Sequence, residues 1–269
     1  MKKIHIFVCI IVIAFLSVSC IGWEKGVVES KIELGLENSP VRTKTGHIAN
    51  RKNVKIEARI NQTALQKWID EYGEVMVHAA IEIENIGREK FKIDSYEFTL
   101  LSKDDEILHS EYEDSSLYSY PLFSIPRTLY PGDIGYIGGS FRIEEVTNPD
   151  DINAMKVAID YSQTLQTRTK LPIQGAEVIP FHEDTPDEIV SVLAVNDTDN
   201  TVRELNLCVG LYDEEDTLLG IVREGPDVFR LIPHSKLLLE LYRPAIPPEL
   251  RSKIKAIRGA CWHSSRQSF

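Results

Sequence analysis

Side chains able to do chemistry are plentiful in this chain, but their spacing is not that of a reaction centre. Seven histidines occur, at positions 5, 47, 78, 109, 182, 234 and 263. They lack the short intervals that let one strand or helix present two ligands to a metal. No His-Glu-x-x-His pair, no Cys-x-x-Cys, no phosphate-binding glycine loop and no Gly-x-Ser-x-Gly turn is present. The acidic run Asp213-Glu214-Glu215-Asp216 offers carboxylate oxygens of the kind a hard cation takes, yet it lacks the glycine of a calcium loop. A solvated hairpin turn is the expectation there. These patterns point to a chain that is not an enzyme and that holds neither a metal nor another cofactor.

Recognition has a better candidate. Tyr112, Leu117, Tyr118, Tyr120, Pro121, Leu122 and Phe123 gather aromatic rings in one stretch. Such rings dominate binding hot spots, and loops on a rigid scaffold are where function concentrates. Tyr112, Tyr118, Tyr120 and Phe123 are therefore candidate partner-binding residues, for an envelope protein or for a glycan stacked on the rings. The alternative is that they fold back over the core or fill a junction between domains. The cations of Arg251-Ser252-Lys253-Ile254-Lys255 are expected along a late strand, guarding its edge.

The net charge of −11 argues against nucleic acid as a partner, which requires clustered Lys and Arg. At the amino terminus Lys2 and Lys3 precede an apolar run over 4–16 and then Ser17-Val18-Ser19-Cys20. That is the layout of a secretory signal, too short for a bilayer span of about 20 residues. Leu16-Ser17-Val18-Ser19-Cys20 resembles the lipobox of bacterial lipoproteins. The resemblance implies a signal peptide over 1–19, lipidation of Cys20, and an extracytoplasmic protein lipid-anchored in the cell membrane or outer membrane. Each buried acyl methylene would contribute about 0.8 kcal/mol to such an anchor. With Cys9 in the signal and Cys20 acylated, Cys208 and Cys261 remain as a possible disulfide in an oxidising compartment. Two unpaired thiols are the other outcome, because alternation along the strand points Cys208 away from the core.

The elements that must position these residues come in two copies. Ile81-Glu82-Ile83-Glu84-Asn85 aligns with Val192-Leu193-Ala194-Val195-Asn196 at an offset of 111 residues. The same offset carries Phe98-Thr99-Leu100-Leu101 onto Val209-Gly210-Leu211-Tyr212, and Asp105-Glu106-Ile107-Leu108 onto Asp216-Thr217-Leu218-Leu219. Leu129-Tyr130-Pro131 matches Leu231-Ile232-Pro233 at 102, which leaves nine further residues in the first copy, near 115–123. Within each copy the period is two: Tyr96, Phe98 and Leu100 alternate with Glu97 and Thr99, as Leu205, Leu207, Val209 and Leu211 do with Asn206, Cys208 and Gly210. Asn-, Asp- and Gly-rich turns separate the strands. The expectation is an all-β chain of two tandem β-sandwiches.

A strand ending in Asn, then Val209-Gly210-Leu211-Tyr212-Asp213, an acidic turn and Leu231-Ile232-Pro233 resemble the FxLYD-type immunoglobulin-like domains of bacterial envelope proteins. Tyr130-Pro131-Gly132-Asp133 is similar to that family's Pro-Gly turn. The resemblance covers about 187–262 and, more loosely, 54–161. It implies structural or binding modules without a shared active site, hence a non-catalytic spacer or adaptor. Punctuation sets the expected divisions: a tether over 20–52, a first domain over 53–173, a linker over 174–186 stiffened by prolines, and a second domain over 187–269. One short helix is expected at 62–71, where Ala64, Leu65, Trp68 and Ile69 recur at helical spacing.

Overall fold

The computed structural model describes residues 25–33, 56–114, 122–180, 189–203, 205–224, 230–241 and 246–264. The first half contains β1 (Lys25–Glu33), β2 (Ala58–Ile69), β3 (Val75–Asn85), β4 (Phe91–Leu101), β5 (Ile107–Asp114), β6 (Leu122–Ile125), β7 (Thr128–Leu129), β8 (Ile134–Ile143) and β9 (Ala154–Gln163). The second contains β10 (Arg168–Leu171), β11 (Ile173–Val178), β12 (Val190–Asn196), β13 (Val202–Arg203), β14 (Leu205–Tyr212), β15 (Leu218–Glu224), β16 (Arg230–Leu231), β17 (Ser235–Leu241) and β18 (Ala256–Ser264). All pairings are antiparallel. Sheet I runs β1-β9-β4-β5 with β7 beside β4; sheet II runs β2-β3-β8-β6. Sheet III runs β10-β18-β14-β15 and sheet IV runs β11-β12-β17, with β13 and β16 as a small ribbon. Among the described residues no helix is long and apolar enough to cross a membrane.

Alternation explains how the sheets stack. Ile81, Ile83 and Ile137 of sheet II meet Phe91, Phe98 and Leu100 of sheet I in one core. Leu205, Leu207, Val209 and Leu211 of sheet III meet Val192, Leu239 and Leu241 of sheet IV in a second. A third cluster joins the backs of sheets II and III: Ala64, Ala80, Ile125 and Tyr136 from one side, Cys208, Tyr212, Leu218, Ile221, Ala260 and Trp262 from the other. The all-β sandwich expectation is therefore met by two sandwiches stacked as four layers in the order I, II, III, IV. At about 10 Å between stacked sheets, the backbone of sheet IV lies about 30 Å from that of sheet I.

The internal repeat is the same structure drawn twice. Asn85 and Asn196 are fully buried, and their amides donate to matching carbonyls: Glu89 and Leu129 at 3.0 and 2.9 Å, Asn200 and Leu231 at 2.8 and 3.0 Å. Their Oδ1 atoms accept from Gly87 N and Thr198 N at 2.9 and 3.1 Å. A buried amide with such partners fixes the turn after its strand. Phe91 pairs with Leu129 as Val202 pairs with Leu231. Asp105 and Asp216 take positive φ, 62° and 66°, at the same hairpin position, a conformation that short polar side chains tolerate.

Four local expectations are corrected. Residues 62–71 are not a helix; most of them lie in β2. Both faces of β2 are covered, so Ala64 faces sheet III while Leu65 faces sheet I, and adjacent buried residues imitate a helical interval. Residues 25–33, placed in the tether, form β1 and pair with β9 from Lys25–Ser162 to Glu33–Ala154. Its alternation is masked because the inward position at Gly26 lies under Tyr161, whose ring carbon Cζ would be 2.2 Å from an added Cβ. Residues 174–178, placed in the linker, lie in β11 and pair with β12, while β10 already belongs to sheet III. Pro172 marks the step between these two edge strands rather than a spacer, as proline does at sheet edges. The cations expected on a late strand lie partly in a 3-10 turn over Pro248–Lys253, which Pro247 and Pro248 initiate.

Candidate functional site

The outward face of sheet I carries an open recess of about 430 Å³, lined by Lys25, Lys92, Asp94, Ser95, Tyr112, Asp160 and Ser162. Its position follows from a β-bulge in β4. Ile93 pairs with Tyr161 and Ser95 with Asp160, so Asp94 is an extra residue. The bulge carries Asp94 and Ser95 together onto the rim of the recess. Ser95 Oγ donates to Asp160 Oδ2 at 3.1 Å, and Lys92 Nζ lies 3.6 Å from Asp94 Oδ1. Tyr112, on the neighbouring β5, is 60% exposed. The recess combines both signs of charge, two hydroxyls and an aromatic face, a set suited to holding a polar ligand by several weak contacts.

The backs of sheets II and III form a second polar assembly, and it is closed. Three rows cross sheet II in register: Gln62, Glu82 and Tyr136; Ala64, Ala80 and Gly138; Gln66, His78 and Ser140. The middle row is small, so the sheets approach closely, while the outer rows bond to sheet III. Gln62 Nε2 donates to Asp216 O at 3.0 Å and its Oε1 accepts from Leu218 N at 2.7 Å. Gln66 Nε2 donates to Leu219 O at 3.1 Å. The bonds to Leu218 and Leu219 occupy backbone groups of β15, an edge strand of sheet III. Tyr212 donates to Glu82, and the Tyr136 and Tyr212 hydroxyls are 3.0 Å apart. Burial raises the pKa of both phenols, holding them protonated.

His78 is fully buried here, and desolvation lowers its pKa to about 3. Its Nε2 accepts from Ile221 N at 3.0 Å, so the proton of the neutral ring is on Nδ1, which lies 2.8 Å from Ser140 Oγ and donates to it. At the end of the junction Arg168 of β10 pairs with Asp133 and stacks between rings, with its guanidinium 3.7 Å from the Trp262 centroid and 5.1 Å from that of Tyr130. Desolvation lowers the Arg168 pKa to about 10, against the opposing pull of Asp133.

The residues singled out in the sequence are distributed differently. Tyr112 is at the recess. Phe123 lies in β6 opposite Gly138, in sheet II rather than sheet I. Tyr118, Tyr120 and Cys20 fall outside the described residues. Cys208 and Cys261 are unpaired and buried on opposite faces of sheet III, one in the junction and one in the core. Adjacent strands thus carry thiols that point apart, which excludes a bond between them. Burial pushes the Cys261 thiol up to about 12 and Cys208 higher. The acidic run forms the expected β14–β15 turn, with Asp213 Oδ1 accepting from Glu215 N and Thr217 N at 3.1 and 2.8 Å. Among the described residues no group of three His, Cys, Asp or Glu side chains is placed to hold a metal ion. His109 has Glu111 3.1 Å from Nε2 and Glu145 3.4 Å from Nδ1, on opposite sides of the ring, where they cannot grip one ion together.

Sequence reasoning missed Lys25, Lys92, Asp94, Ser95, Asp160 and Ser162. One signal was available: inward residues step by two at Phe91–Ile93 and Tyr96–Phe98 but by three between Ile93 and Tyr96, the mark of a bulge. Compared with known proteins, the chain matches no family model and no curated protein.

Proposed function

We propose that this protein is a membrane-anchored envelope lipoprotein of the FxLYD type, held through Cys20, and that it serves as a non-catalytic spacer or protein-binding adaptor. The observation that carries this reading is the stack of four sheets. Glu82, His78, Tyr136 and Tyr212, buried polar groups with the chemistry of a reaction centre, are bonded to one another or to backbone across the junction between sheets II and III. Bonded in this way they serve to join two sandwiches at one relative orientation. A stiff body about 30 Å between its outer sheets suits the holding of a partner at a distance from a membrane. The aromatic stretch between β5 and β6 is the contact surface in this reading. In-cell crosslinking and pull-down of the full-length chain, beside a variant lacking 115–123, tests it. Capture of a discrete envelope protein by the first and its loss from the second is the expected result. Turnover of an envelope substrate by the purified chain would refute the non-catalytic assignment.

A second reading is favoured by the recess. Carboxylates and hydroxyls beside an exposed tyrosine ring are what a glycan needs for hydrogen bonds and stacking, so a carbohydrate-binding lipoprotein is the alternative. Its signature is saturable quenching of aromatic fluorescence by a glycan, lost in Tyr112→Ala.

A further inference from the structure

The recess on sheet I lies at the end of the chain nearest the anchor. Lys25 lines it, opens β1, and stands five residues after Cys20. A fully extended chain advances at most about 3.6 Å per residue, so Lys25 can stand no farther than about 18 Å from Cys20. Pairing of Lys25 with Ser162 of β9 and burial of Val28 then extend that limit to the recess beside them. Accepting the acylation of Cys20 proposed above, on which this inference rests, the recess is confined to the headgroup region or just above it.

The lining has a definite preference. Lys25 and Lys92 offer ammonium groups to phosphate oxygens, and Asp94 and Asp160 offer carboxylates to a cation. Tyr112 presents a ring of the kind that sits at membrane interfaces and attracts ammonium ions. A purely anionic headgroup would satisfy the lysines while facing two carboxylates of like charge. We infer that this recess is a binding site for a zwitterionic headgroup of the bilayer, one joining a phosphate to a primary ammonium, and that its occupation lays the outward face of sheet I against the membrane. A primary ammonium suits the site because its N–H groups can donate to Asp94 and Asp160. Sheet IV is then directed away from the bilayer.

The test couples the full-length acylated chain, reconstituted in vesicles of phosphatidylethanolamine with phosphatidylcholine, to its lipid with a carbodiimide, which joins carboxylates to primary amines. Adducts are mapped by mass spectrometry. The expected result is a headgroup adduct on Asp94 or Asp160 at several times the yield on Asp150 and Asp199, although these two are far more exposed, at 84% and 95%. Lys92→Glu and Tyr112→Ala, both at surface positions, should reduce that adduct several-fold with the fold unchanged by circular dichroism. Equal or greater coupling at Asp150 and Asp199, or suppression of the Asp94 and Asp160 adducts by a soluble oligosaccharide, overturns the inference. Intact mass reports the acyl group separately. A chain purified from its own cells without that group overturns the anchor and, with it, the membrane source, whatever the recess couples.

Discussion

Sheets I and II share one core and are built alike, yet their outward faces have opposite fates. On sheet I, Lys92, Glu97, Lys156 and Asp160 point away from the core at alternate positions and meet water. On sheet II, His78, Ala80 and Glu82 do the same in β3 and are buried beneath sheet III. Polarity does not separate the two faces; size and pairing do. The covered face has a central row of Ala64, Ala80 and Gly138, and across from it stand Gly210 and Gly220, where an added Cβ would meet the Tyr136 ring at 2.7 Å and His78 Nε2 at 2.8 Å. Small residues bring the backbones close enough for each flanking polar group to find a partner. Long charged side chains on sheet I prevent any such approach.

The largest effect should come from removing the residue that closes the covered side. Arg168→Ala removes the buried ion-pair partner of Asp133, leaving it Tyr130 N and the more distant Lys170, and empties the space between Tyr130 and Trp262; it should lower stability by about 3–5 kcal/mol, read from the midpoint of chemical denaturation. Arg168→Lys should recover only part of this, since an ammonium cannot stack as a guanidinium does. Next comes a matched pair. Glu82→Ala removes the acceptor for Tyr212 and Asn61 and should destabilise by about 2–4 kcal/mol, whereas Glu97→Ala on the open face should stay within about 0.5 kcal/mol. Similar values for the two would abolish the distinction between the faces.

The third test is pH. Burial keeps the folded His78 ring neutral down to about pH 3, while the unfolded ring takes up a proton near its ordinary 6.5. Its contribution is complete above 6.5 and is lost as pH falls from 6.5 towards 3, at up to about 1.4 kcal/mol per pH unit. His78→Asn should flatten that slope; an unchanged slope would show that His78 is not its source. Among substitutions on the covered face the smallest effect should follow Gly220→Ala, which pushes one methyl group against the His78 ring and should cost about 1–2 kcal/mol by overpacking, measured as a lowered Tm.

Much of the fold could be read before the structure. The alternation Leu205, Leu207, Val209 and Leu211 correctly assigned the inward face of β14, and the offset joining Asn85 to Asn196 anticipated two matching turns, though not that buried amides pin them. What could not be read was which outward face is covered, because His78 and Glu82 alternate with valine and isoleucine just as surface residues would. The same double coverage turned β2 into an apparent helix. The recess was hidden for another reason. Lys25 and Ser162 are neighbours only through the pairing of β1 with β9, at an edge whose pattern Gly26 interrupts.

The polar junction between sheets II and III also bears on how such a chain could arise. A gene duplication places side by side two bodies that each already keep soluble surfaces. Here the joined surfaces differ: that of sheet II is largely glutamine, histidine, glutamate, tyrosine and small residues, whereas that of sheet III adds Cys208, Leu218, Ile221 and Trp262. Parting them would expose groups that water can solvate on sheet II but an apolar patch on sheet III, so of the two halves the second has the greater need of its neighbour.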